Sequence, residues 1–317
     1  MTLRNSFADQ PVKISRVPSF RAEHFPYSGP YPWLDQDDAL ARIDAGLQQR
    51  EITNDEADLC RSWAANGYII LKNLIESRVL DEVWGAYENA IRNGKIVPPP
   101  EPAGENDPYL GRYLNPHKKV GAFCQILKHL ELLRYIRLLM EREPKPLQTI
   151  AAHKGSQQGL HSDSIHMTTY PLGYLTAAWI AFEDIHPDCG PLVYYPGSHR
   201  LPYVFSKDVG ISEDDFKKDG YGPYHARYEP YIRQLVDRHG LEPHYFHARK
   251  GDVLIWHANL IHGGSTRRNL ALSRRSAVCH FFVKNAFVYH DLAAARSRQQ
   301  YVGTCMLRDD SGKVRLF

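Results

Sequence analysis

Tyr174-Leu-Thr-Ala-Ala-Trp-Ile-Ala-Phe182 is the stretch on which the fold turns. It is a short β-rich run, and similar runs surround it at Leu147–Ala152, Leu192–Tyr195, Val253–Ile255 and Ala277–Val283. Gly, Pro and Asp turns separate them. Short strands at such spacing predict a sandwich or jelly roll. Upstream of residue 145 the texture is helical. Residues 54–66 predict a helix with Asn54 near its start and Gly67 after it, followed by a strand over 68–71. Ser77 reads as the N-cap of a helix to Asn93, with Leu80, Val83, Trp84, Tyr87 and Ile91 at helical spacing and Gly94 as its stop. Leu127, Leu130, Leu133, Ile136, Leu139 and Met140 predict one more helix over 125–142, and such a stripe reads as core packing. The expected fold is mostly β with flanking helices, an α+β chain forming a single domain over 1–317.

Two segments stand apart. Residues 1–50 carry Pro26, Tyr27, Pro30, Tyr31, Pro32 and Trp33 and suggest an irregular arm laid over the body. Residues 206–247 form a polar insert that could carry a helix near 228–238 and act as a lid. Pro98-Pro99-Pro100 opens a loop.

The chain has 317 residues, 43% hydrophobic and 24% charged, with a net charge of +3. Its size allows a substantial core. Arg267-Arg268 and Arg274-Arg275 are the densest basic pairs, and a solvated surface explains them better than nucleic-acid binding. Cys60, Cys124, Cys189, Cys279 and Cys305 are odd in number and widely spaced, which argues against a disulfide framework or zinc ribbon. The expectation is free thiols in a reducing cytoplasm. No apolar h-region opens the sequence, so no signal peptide is expected. No run is long and apolar enough to span a membrane. Oligomeric state is not legible.

The chemistry-bearing residues begin at His161-Ser162-Asp163. On an extended segment, residues i and i+2 share a face, so an imidazole and a carboxylate can reach one metal. His262 follows the apolar run Val253-Leu-Ile-Trp256 and precedes Gly263-Gly264. Two His and one carboxylate make the facial set of non-heme iron(II) oxygenases, which leaves positions open for a chelating keto acid and O₂. A buried keto diacid also needs a cation for its distal carboxylate. Arg274 offers a bidentate fork, and Ser276 on the same strand face adds a hydroxyl. A surface Arg pair is the competing reading.

With these pieces in place, the sequence resembles the phytanoyl-CoA dioxygenase family. The resemblance runs through Tyr68-Ile-Ile-Leu-Lys-Asn-Leu-Ile75, His161-Ser-Asp163, Cys189-Gly-Pro-Leu-Val-Tyr-Tyr-Pro-Gly-Ser-His-Arg200, Gly251-Asp-Val-Leu-Ile-Trp-His257, His262-Gly-Gly264 and Arg274-Arg-Ser276. It covers about residues 50–285. It implies a double-stranded β-helix of the jelly-roll, cupin-like kind, with iron(II) held by His161, Asp163 and His262. It further implies 2-oxoglutarate as co-substrate, bound by Arg274, with Trp179 and Gln148 beside it. Arg274 stands one residue further from His262 than the family's usual spacing. A short loop insertion near Asn269 would absorb this, and Arg275 stays a rival.

Other polar residues read differently. His199 and His257 are expected to be structural or buried behind the site, and Asp252 to make a tight turn. His153 and His166 flank the first ligand pair; His166 could face substrate, but an ordinary satisfied His is the favoured reading. Tyr109, Arg112 and His117 sit in a polar loop that could reach the cavity. The implied activity is hydroxylation of a small organic substrate with release of succinate and CO₂. The rivals are a halogenase, in which a small residue replaces the carboxylate ligand, a hydrolase, which would need a nucleophile elbow absent here, and a non-catalytic jelly-roll binding protein.

Overall fold

The computed structural model describes Ala22, residues 31–97, 111–284 and 286–293, and a short pair of strands at Leu307–Arg308 and Val314–Arg315. Pro26, Tyr27, Pro30, Pro98-Pro99-Pro100 and Tyr109 lie outside the described residues. Within the expected irregular arm the chain forms helix α1, Ala39–Gln48. Trp33 pins the approach to it, its indole N–H donating to the Leu138 carbonyl at 3.0 Å.

Helix α2, Asn54–Asn66, starts in a capping box: the Thr53 hydroxyl accepts from the Glu56 amide while the Glu56 carboxylate accepts from the Thr53 amide. Such a cap stabilises a helix start by about 0.5–2 kcal/mol. The helix ends at Gly67, whose φ of 78° suits a residue without Cβ. Strand β1, Tyr68–Leu71, follows directly. Helix α3 spans Ser77–Arg92, and Ser77 is its first helical residue rather than its cap. The cap position falls on Glu76, whose side chain makes no capping bond. A tertiary bond sets the chain's entry instead, from the Ile75 amide to the Gly251 carbonyl at 3.2 Å.

Beyond β2, Arg112–Leu114, the expected helix over 125–142 is two helices, α4 over Phe123–Leu127 and α5 over Leu130–Met140. The break comes at Lys128-His129, where the His129 ring accepts from the Leu132 amide at 3.3 Å and caps the second piece. Leu130 is 81% exposed, so it does not belong to the buried stripe of Leu132, Ile136 and Leu139.

The remaining strands are β3 (Pro144–Ala152), β4 (Thr168–Tyr170), β5 (Leu175–Ala181), β6 (Leu192–Tyr194), β7 (His244–Tyr245), β8 (Val253–His257), β9 (His262–Gly264), β10 (Ser276–Val283) and β11 (Phe287–Tyr289). They form a large antiparallel sheet in the order β1-β8-β5-β10-β3-β2, a smaller sheet β7-β6-β9, and the pair β11-β4. Alternation along the large sheet divides its side chains. Ala178, Ile180, Ile255, Cys279 and Phe281 pack on the helical layer with Trp63, Val83 and Ile136. Ala177, Trp179, Leu254 and Trp256 turn inward toward Leu192 and Tyr194 of the small sheet. Both faces are covered, which is why every residue of β5 is buried. The result is the double-stranded β-helix, a jelly roll flanked by helices, and its interior holds the site.

The insert contributes α6, Glu213–Asp219, and α7, Glu229–Arg238. Tyr224, Tyr228, Ile232 and Leu235 form a cluster with Leu160, Ile165, Val193 and Ile261. The insert is therefore packed on the segment that carries His161 and Asp163. No described helix is long and apolar enough to cross a membrane.

Candidate active site

His161 and His262 are brought together by the backbone. The His161 amide donates to the His262 carbonyl at 2.9 Å and the His262 amide returns the bond at 2.9 Å. This reciprocal bridge puts both side chains on one face, with ring centroids 4.4 Å apart. Close approach of the chain makes it possible. A Cβ on Gly263 would meet the Gln158 carbonyl at 2.8 Å, and one on Gly264 would meet the Gln157 amide nitrogen at 2.6 Å. The two glycines after His262 thus let the 156–161 segment lie against β9.

Each imidazole is oriented by its far nitrogen. Nδ1 of His161 lies 2.8 Å from the Gly159 carbonyl and Nδ1 of His262 lies 2.9 Å from the Leu260 carbonyl. A carbonyl only accepts, so each Nδ1 carries the proton and each Nε2 presents a lone pair inward. Asp163 does not stay on the extended run the sequence suggests. It begins a 3-10 turn, Asp163–Ile165, in which its carbonyl accepts from the His166 amide at 2.9 Å. The turn still carries its carboxylate to the imidazoles: Oδ1 lies 3.9 Å from His161 Nε2 and 3.7 Å from His262 Nε2. Among the described residues, His161, Asp163 and His262 form the one group of His, Cys, Asp and Glu side chains able to hold a metal, with ligand atoms within 4.8 Å of one another.

Burial and neighbouring charge set the protonation. Burial, then the adjacent His262, pushes His161 down to about 3. Burial lowers His262 as well. Burial would raise the Asp163 carboxyl, but the His262 and His280 imidazoles outweigh it and hold it below the usual carboxylate range. The set is therefore two neutral imidazoles and one anion, the state a divalent cation needs.

A cavity of ≈ 210 Å³ opens beside these residues. Arg274, Ser276, Trp179 and Gln148 all line it. The loop before Arg274 turns at Asn269, whose carbonyl accepts from the Leu272 amide at 3.3 Å. Arg274 is 4% exposed, donates from Nη1 to the Gly190 carbonyl at 2.8 Å, and lies 5.7 Å from the Trp179 ring centre. Burial pushes its guanidinium down to about 10, so it remains a cation at neutral pH. Its Nε is buried with no hydrogen-bond partner among the described residues, an orphan donor that a ligand carboxylate would satisfy. Arg275 points the other way, toward Glu88 and Glu183 at 3.5 and 3.7 Å. The residues present fit both an iron ion and a dicarboxylate keto acid.

The other polar residues sort out clearly. His257 faces away from His262, its Nε2 3.1 Å from Asp35, and packs against His199. Asp252 accepts from the Asn73 and Arg249 amides and holds its turn. His153 packs on Trp84 and Tyr87. Arg112 and His166 line the cavity, whereas His117 pairs with Thr149 at 2.6 Å. Sequence reasoning missed His280, Gln158, Tyr221 and His290, which also line the cavity. Alternation along β10 from Ser276 through Val278 was a signal for His280. Tyr221 and His290 come from the insert and from beyond β11, where no local pattern announces them.

The buried imidazoles carry a stability consequence for the metal-free protein. His199 is also pushed down to about 3, by burial and then His257. The unfolded chain protonates these groups near pH 6.5 while the folded chain does not, so the unfolded state binds more protons below that pH. Stability should fall as pH drops below about 6.5, by up to about 1.4 kcal/mol per pH unit for each such imidazole. Thermal unfolding of the metal-free protein between about pH 7.5 and 5.5 measures this; a flat midpoint would contradict the neutral assignment.

A jelly roll with two imidazoles and a carboxylate on one inner face, and a buried arginine across the cavity, defines the iron- and 2-oxoglutarate-dependent oxygenases. The chain belongs to the phytanoyl-CoA dioxygenase (PhyH) family, whose sequence profile matches residues 63–276. It is 23% identical over 300 residues to the peroxisomal phytanoyl-CoA dioxygenase of Mus musculus, covering 86% of this chain and 75% of that protein. It is 32% identical over 178 residues to the ectoine dioxygenase of Halomonas elongata, covering 53% and 51%. Its fold matches EctD from S. alaskensis, solved with 2-oxoglutarate and 5-hydroxyectoine, at a TM-score of 0.58 and 17% identity, covering 79% and 83%.

Proposed function

We propose that the protein hydroxylates a small organic substrate, consuming 2-oxoglutarate and O₂ and releasing succinate and CO₂. The observation that carries this reading is Asp163, whose carboxylate stands between His161 and His262 where a halogenase would leave room for halide. In this reading His161, Asp163 and His262 hold iron(II), and Arg274 with Ser276 takes the distal carboxylate of 2-oxoglutarate. Trp179 closes the space beside Arg274, and Gln148 lines the same wall. Bound together, iron and 2-oxoglutarate supply the electrons that activate O₂. The chain's own work is to fix the imidazole tautomers, neutralise the keto diacid and exclude water.

The insert 206–247 fits a lid: Tyr221 lines the cavity, and the Tyr228 hydroxyl lies 3.2 Å from the Ser162 hydroxyl, between the two residues His161 and Asp163. The phytanoyl-CoA and ectoine dioxygenases act on different small molecules by their names, so the substrate is best sought by activity. The test is a metabolite panel incubated with iron-loaded protein, following substrate-dependent succinate release. Product made under labelled O₂ with excess chloride should carry the label and no chlorine. A chlorinated product would overturn hydroxylation in favour of halogenation.

A further inference from the structure

We propose that Trp256 and His280 are positioning residues for Asp163, jointly holding its outer oxygen so that the carboxylate offers only Oδ1 to the metal. The proposal rests on the reading of His161, Asp163 and His262 as ligands. The two carboxylate oxygens have separate surroundings. Oδ1 faces His161 and His262. Oδ2 accepts from the Trp256 indole N–H at 2.8 Å, and His280 Nε2 lies 3.5 Å from it.

Both residues are placed for this by strand register. Trp256 on β8 and His280 on β10 flank β5, pairing with Ala177 from either side. They are the inward members of their strands and are almost fully buried, at 2% each. Trp256 also packs its ring 4.5 Å from that of His262, so one side chain steadies two of the ligands. His280 is harder to explain as simple filler. Its Nδ1 is buried with no hydrogen-bond partner among the described residues, a cost a core aliphatic would avoid. With Nε2 protonated, the ring offers Asp163 a donor.

The chemical need is clear. A carboxylate can bind a cation through one oxygen or both. Binding through both would take a coordination position that a chelating keto acid and O₂ require. Two N–H groups on Oδ2 weaken it as a ligand and fix the angle at which Oδ1 approaches. Outer partners of this kind typically change metal affinity about 10–100-fold when removed.

The test uses the full chain loaded with cobalt(II), whose visible spectrum reports coordination. Trp256→Phe and His280→Leu should each weaken cobalt binding about 10–100-fold and alter the cobalt bands. His280→Gln, which keeps an N–H donor, should restore most of the affinity and a spectrum close to the starting one. Near-ultraviolet circular dichroism of each metal-free variant shows whether it is folded. Folded Trp256→Phe and His280→Leu proteins with unchanged affinity and spectrum would overturn the proposal. An effect confined to one residue would overturn the joint role, and failure of His280→Gln to restore binding would overturn the donor role of His280. Wild-type protein that binds no cobalt would overturn the ligand set itself.

Discussion

Asp163→Ala should abolish turnover and lower iron(II) affinity beyond the roughly 10–100-fold typical of an outer partner. The carboxylate is the only anion among the three proposed ligands, since burial keeps both imidazoles neutral while their Nδ1 bonds fix the tautomer. Its loss leaves two neutral donors facing a divalent cation. It also strands the Trp256 indole N–H, which now donates to Oδ2 at 2.8 Å, in a buried site. Asp163→Glu keeps the charge and moves it by one methylene, enough to spoil a coordination geometry held by a reciprocal backbone bridge. Glu should therefore retain more iron than Ala while losing most hydroxylation. Metal titration alongside succinate formation checks both. Undiminished hydroxylation in Asp163→Ala would remove Asp163 from the ligand set.

Arg274→Ala should weaken 2-oxoglutarate binding by about 3–5 kcal/mol, a hundredfold or more, because it leaves a buried carboxylate without its cation. Iron affinity should change far less. Arg275→Ala should have a small effect, since that side chain faces Glu88 and Glu183 at the protein's surface. Calorimetric titration of 2-oxoglutarate into the two metal-loaded variants gives the ranking. The reverse order would make Arg275, not Arg274, the arginine that binds the co-substrate.

How much of this was legible in the sequence depends on the kind of information each element uses. Strands β5, β8 and β10 of the large sheet were legible because their apolar runs are covered on both faces, whereas β2, Arg112–Leu114, falls in a stretch that reads as a polar loop. Helix α2 was legible from Asn54 near its start and Gly67 after it, although the cap itself is Thr53, paired with Glu56. Ser77 misled because a tertiary bond from Ile75 to Gly251 fixes the chain there, and the break at His129 is hidden by a hydrophobic stripe that continues across it. The same split holds for the site. His161, Asp163 and His262 stood out as residue types at a telling separation. The choice between Arg274 and Arg275 needed the register of β10, which its pairing with β3 and β5 sets, Ser276 lying opposite Ala152 and Ala181. Trp256 and His280 meet Asp163 only across the sheet, so no spacing along the chain shows that contact.

The central claim is that these residues build one iron and 2-oxoglutarate centre. Anaerobic addition of 2-oxoglutarate to iron(II)-loaded protein tests it most directly, through the visible charge-transfer absorption of the iron–keto acid chelate. The band should grow to saturation at one 2-oxoglutarate per chain, should be absent in His262→Ala, and should require far more 2-oxoglutarate in Arg274→Ala. No band in the wild-type protein, or an equal band in His262→Ala, would contradict the account.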